Sequence, residues 1–99
     1  MVEIHWTRAA QEAVKNIAIY ISKDSAFYAE KQVQKFFESV EVLHQHPEIG
    51  KPVTEYNRKD IRQILVGRYR VIYKVKSESC IDILTVHHSA SILHLDIEG

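Results

Sequence analysis

From Arg62 to Ala90 the chain reads RQILVGRYRVIYKVKSESCIDILTVHHSA, and no other stretch limits the possible folds as strongly. Tyr69, Val71, Tyr73 and Val75 alternate with Arg70, Ile72, Lys74 and Lys76, the period of two that a half-buried strand shows. Ile81, Ile83 and Thr85 alternate in the same way with Asp82, Leu84 and Val86. Gly67-Arg68 and Ser77-Glu78-Ser79 separate the apolar runs at lengths suited to hairpin connections. The stretch predicts three consecutive antiparallel strands, rich in the β-branched and aromatic residues that a pleated surface favours.

What precedes it must cover one face of that sheet. Val2 to Trp6 is a short strand by its alternation, with Val2, Ile4 and Trp6 on one side. Thr7 is a candidate N-cap, because its hydroxyl can accept from a free amide of the first turn. From Arg8 the apolar residues Ala10, Ala13 or Val14, Ile17 and Ile21 recur at helical steps. Ser22-Lys23-Asp24-Ser25 interrupts them and offers a second cap. A second helix is predicted from about Ala26 to His44, with Ala29, Val33, Phe36, Val40 and Leu43 inward and Phe37 widening the stripe. Two helices joined so closely form a hairpin. Pro47, Gly50 and Pro52 end the helical region, and Val53 to Asp60 reads as a loop before a strand at Ile61. The order predicts a single α+β domain over residues 1–99 in two layers. An N-terminal strand and a helical hairpin pack on a three- to four-stranded antiparallel sheet.

A chain of 99 residues is long enough for one core, and 45% hydrophobic with 26% charged residues suits a soluble globular protein. The N-terminus lacks a basic start followed by an apolar run, no apolar stretch is long enough for a bilayer, and Cys80 has no second cysteine to pair with. These point to a cytoplasmic protein with no membrane association. The formal net charge of zero hides a segregation: residues 51–76 hold eight Lys and Arg against two Asp and Glu, whereas residues 77–99 hold four acids and no Lys or Arg. A basic island of this kind suits an anionic partner, and equally a solvated outer face that blunts an edge strand.

The candidate binding residues follow from the island: Arg62, Arg68, Arg70, Lys74 and Lys76. Arg70 and Lys74 share a strand face, and a guanidinium can hold a phosphate through two parallel hydrogen bonds. Tyr69 and Tyr73 face the other way and do not interleave with those cations. His87 and His88 end the last strand on opposite faces and do not share a metal by strand geometry. Neither they nor Cys80, His44 and His46 match a zinc spacing. A histidine acting as general acid or base remains compatible with the sequence, as does a structural one. Phosphate-loop, dinucleotide and nucleophile-elbow patterns are absent, so no cofactor is expected.

The helical hairpin, HPEIGKP from His46 to Pro52, IRQILVGRYRVIYKV from Ile61 to Val75 and IDILTVHHSA from Ile81 to Ala90 together resemble the RelE/ParE superfamily over nearly the whole chain. The resemblance implies the toxin of a type II toxin–antitoxin module, associated with plasmid stabilization and growth inhibition. It also implies a cognate antitoxin partner and a toxin–antitoxin complex that is a higher oligomer. Members divide into inhibitors of DNA gyrase and metal-independent, ribosome-dependent mRNA endoribonucleases. On the nuclease side, Arg70 resembles the strand arginine, Arg62 a basic residue one strand earlier, and His87 or His88 would have to replace a tyrosine absent after Tyr73. Ile64 and Val53 stand where nucleases place a lysine and a glutamate. The HPEIGKP turn and the closing His-x-Ser element look ParE-like, which favours gyrase. Ser91 replaces the arginine of a His-x-Ala-Arg type element, adding a binding candidate and a third reading, an attenuated relative that only binds antitoxin.

Overall fold

Thr7 marks the change from strand to helix and joins the two layers. In a computed structural model of the chain, which describes residues 1–90, its hydroxyl accepts from the Ala10 amide at 3.1 Å and donates to the Ile83 carbonyl at 2.7 Å. One side chain thus caps a helix and fastens it to the sheet. Strand β1 spans Glu3–Trp6, helix α1 Arg8–Ser22 and helix α2 Ala26–Ser39. Ser25 caps α2 by accepting from the Tyr28 amide at 3.2 Å. Helix α2 ends five residues before the predicted limit, and Glu41–His44 continues as a 3₁₀ turn. The Ser39 hydroxyl donates to the Phe36 carbonyl at 2.7 Å, a local bond that competes with the helical ladder. The tighter turn still buries Leu43 completely.

Among the described residues the sheet has five strands. Strands β2 (Lys51–Pro52), β3 (Ile61–Val66), β4 (Tyr69–Ser77) and β5 (Cys80–His88) are antiparallel neighbours, and β1 joins β5 in parallel, giving the order β1-β5-β4-β3-β2. The predicted sheet of three or four strands is therefore extended at both edges. Parallel pairing of β1 with β5 leaves no local mark in the sequence. Strand β2, only two residues long, carries too little alternation to be read.

The helices cover one face of this sheet. Ala10, Val14, Phe36, Val40 and Leu43 meet Val71, Tyr73, Ile81, Ile83 and Val86, with Ile17, Val33, Ile4 and Trp6 packed around them. Burying a side chain such as Phe36 stabilises the fold by roughly 1.5–3 kcal/mol. Val86 lies on this face against the predicted alternation. The register pairs Ile72 with Thr85 but Tyr73 with Ile83, so Leu84 is an extra residue and the strand changes phase there. Leu84 packs instead on the opposite face with Val53, Ile61, Ile72 and Tyr56, a smaller apolar cluster roofed by the loop after β2.

Candidate functional site

Arg70 leaves β4 on that second face, across from Leu65 on β3 and His87 on β5. It is 7% exposed and does not project to solvent as expected for a cation in a phosphate-gripping row. Its two terminal nitrogens bond both oxygens of Glu55, at 3.0 and 2.8 Å, and one also bonds Gln63 Oε1 at 3.2 Å. The fork of the guanidinium fits the carboxylate with two parallel bonds, the strongest arrangement available to this pair. The bond from Arg70 holds the Glu55 carboxyl at about 2, against an ordinary 4.5. Glu55 and Asp60 are the only acids in the basic island, and each is matched to an arginine. Arg58 Nη2 reaches Asp60 at 2.6 Å and Nε at 2.9 Å, lowering the Asp60 carboxyl. The sequence offered a signal for both pairs, two lone acids among eight bases, but not the partners.

Arg62 lies across from Tyr73, on the other face of the sheet from Arg70. Its Nη1 donates to the carbonyls of Glu48 at 3.2 Å and Gly50 at 2.8 Å, and its Nε is buried with no partner among the described residues. Next to it, the Gly50 amide donates to the Tyr73 hydroxyl at 2.9 Å, in a contact so close that a Cβ on Gly50 would sit 2.6 Å from that oxygen. Arg62 and Tyr73 thus hold the HPEIG turn from within. Burial pushes the Tyr73 hydroxyl up. Arg62 and Arg70 do not form one cationic surface.

The remaining candidates are dispersed. Lys74 shares the face of Arg70 and acts on Asp60, while Lys76 reaches Asp82 at 3.5 Å. His87 opposes Arg70 and has a buried Nε2 with no partner among the described residues, whereas His88 opposes Tyr69, so the two imidazoles lie on opposite faces as the sequence predicted. His88 Nδ1 accepts from the Ala90 amide at 3.2 Å, and its ring meets Tyr69 edge-on at 5.5 Å. Arg68, in the two-residue turn between β3 and β4, is exposed. Ser91 lies outside the described residues. No described helix is long and apolar enough to cross a membrane.

A helical hairpin over a mostly antiparallel sheet, five-stranded among the described residues, is the scaffold of a small RelE/ParE-like toxin. The chain belongs to the ParE toxin family: the model described as ParE toxin of type II toxin-antitoxin system, parDE, matches residues 4–93. A solved structure of a chromosomal ParDE system from P. aeruginosa shares the fold at 24% identity and a TM-score of 0.73, covering 89% of this chain and 96% of that one. A chain of the RelBE2 toxin–antitoxin complex from Mycobacterium tuberculosis matches at 21% identity and a TM-score of 0.56, over 88% and 96% of the two chains. One from the E. coli DinJ–YafQ complex matches at 12% and 0.57, over 91% and 96%. No curated protein matches this chain.

Proposed function

We propose that this toxin inhibits growth by acting on DNA gyrase in the cytoplasm and is neutralised by a cognate antitoxin. The observation that supports gyrase over the ribosome is the closure of Arg70 onto Glu55. Stabilising a phosphoryl transition state needs a cation preorganised toward the phosphate, and Arg70 is instead buried and neutralised by a carboxylate. Arg62 holds loop carbonyls on the opposite face, and His88 is separated from His87 by the sheet. The four candidates for metal-independent RNA cleavage do not converge on one point.

A second reading, mRNA endoribonuclease, draws support from one feature. Glu55, Arg70 and His87 share a face, and the imidazole has a buried nitrogen with no partner among the described residues. A carboxylate, a guanidinium and an imidazole are the groups for acid–base phosphate chemistry, provided that the Glu55–Arg70 pair opens on binding.

Induction without antitoxin separates the readings. The gyrase reading expects filamentation with an SOS response, and loss of supercoiling activity when purified toxin meets gyrase. Codon-aligned message ends by primer extension, lost on Arg70→Ala, would reverse the order of the two. Unimpaired growth would support the attenuated relative that only binds antitoxin.

A further inference from the structure

Between the C-terminal half of α1 and the end of the sheet lies an open cleft of about 580 Å³, lined by Asn16, Ile17, Tyr20, Arg68, Tyr69 and His88. No carboxylate lines it among the described residues. The Arg68 guanidinium has no hydrogen-bond or ion-pair partner among them, which distinguishes it from those of Arg58, Arg62 and Arg70. Tyr69 is fixed between two rings, edge-on to Phe36 at 5.3 Å and to His88 at 5.5 Å. Tyr20 is 71% exposed, and Lys23 brings a second cation to its ring, with Nζ 5.9 Å from the centroid. The bond from the Ala90 amide makes His88 Nδ1 an acceptor, which leaves Nε2 as the nitrogen that carries the proton of a neutral ring.

We infer that this cleft binds single-stranded nucleic acid, with Arg68 and Lys23 on backbone phosphates and Tyr20 stacked against a base. Cations interleaved with exposed rings are what a non-duplex strand requires, since every base has a π-face and every linkage a charge. A docked peptide helix would need a row of aliphatic contacts at helical spacing, and Ile17 is the one aliphatic lining residue among the described residues. Asn16 and the His88 ring add hydrogen-bonding capacity to the lining. The site does not depend on the Arg70 face, and it adds a nucleic-acid contact to a toxin proposed to act on a DNA-bound enzyme.

The test is fluorescence anisotropy of the full chain with labelled eight-nucleotide single-stranded DNA and RNA of one sequence, and the corresponding duplex. Single strands should bind more tightly than duplex. Log affinity should fall with log salt at a slope of roughly −1.4, since each neutralised phosphate on a single strand contributes about −0.7. Arg68→Ala should halve that slope. Tyr20→Ala should weaken binding about 5- to 100-fold at fixed salt and leave the slope unchanged. Tyr28→Ala, a ring of similar exposure outside the cleft, should have no effect. Both cleft substitutions are at exposed positions, and circular dichroism should show an unchanged fold. The inference is overturned if single strands do not bind at 50 mM salt, if duplex binds as well, if Tyr28→Ala is as damaging as Tyr20→Ala, or if an oligoglutamate competes on equal terms. Gyrase inhibition that persists in Tyr20→Ala with oligonucleotide binding lost would separate this site from the toxin's principal action.

Discussion

Glu55 lies 15 residues before Arg70, on a loop without regular structure, and its two carboxylate oxygens meet both terminal nitrogens of that arginine. The pair anchors the loop over the apolar cluster of Val53, Ile61 and Ile72, so a polar contact and a small second core depend on each other. It also leaves the most nuclease-like cation of the sequence buried and paired with a carboxylate.

Removing one partner should cost more than removing both. Glu55→Ala leaves the Arg70 guanidinium with Gln63 alone in a site that is 7% exposed, and should lower stability in urea unfolding by about 2 kcal/mol. Arg70→Met in the same background should recover much of the loss. If the double variant is as unstable as the sum of the two single ones, the pair is not coupled as described.

Acid should weaken the same latch. The carboxyl of Glu55 is lowered from 4.5 to about 2, chiefly by its bond to Arg70, so its contribution is present above the unfolded value near 4.5 and is lost as pH falls toward 2. Urea midpoints measured between pH 6 and pH 2.5 should fall more steeply for the parent than for Glu55→Gln. Parallel profiles would show that the bond contributes no pH-dependent stability.

Gly50 and Tyr73 should behave as one unit. A Cβ on Gly50 would meet the Gln63 carbonyl and the Tyr73 hydroxyl at 2.6 Å each, so Gly50→Ala should destabilise by about 1–3 kcal/mol. Tyr73→Phe leaves the Gly50 amide without its acceptor and should cost about 1 kcal/mol. Combined, they should cost less than the sum, because deleting the hydroxyl removes one of three close contacts and leaves those with the Gln63 carbonyl and Tyr73 Cε1. Thermal melts of the four proteins in the cycle measure the difference.

The β3–β4 turn tests conformation without packing. Gly67 has φ 59° and nothing within 4 Å of an added Cβ, so Gly67→Ala carries only the left-handed backbone cost, roughly 1–2 kcal/mol. Gly67→Asn should be milder, since asparagine tolerates that region better. Equal melting temperatures for Gly67→Ala and the parent would mean that the turn adopts another conformation.

The three long strands, the hairpin of helices and the caps at Thr7 and Ser25 were legible in the sequence, because each depends on residues within a few positions of one another. Periodicity of 2 and of 3.6 residues reports which side chains share a face, and a cap reports where that periodicity begins. The phase change at Leu84 was not legible, since a bulge is defined by the count of residues on the neighbouring strand. Nor was the parallel pairing of β1 with β5, which joins residues far apart in the chain. The charges of the basic island were countable from the start. What each one met was decided by the packed fold: the loop that returns Glu55 over the sheet pairs Arg70, whereas Arg62 meets the carbonyls of Glu48 and Gly50 and Lys76 meets Asp82. The cleft of Tyr20, Arg68 and His88 likewise draws on a helix, a turn and a strand end that only the packed fold brings together.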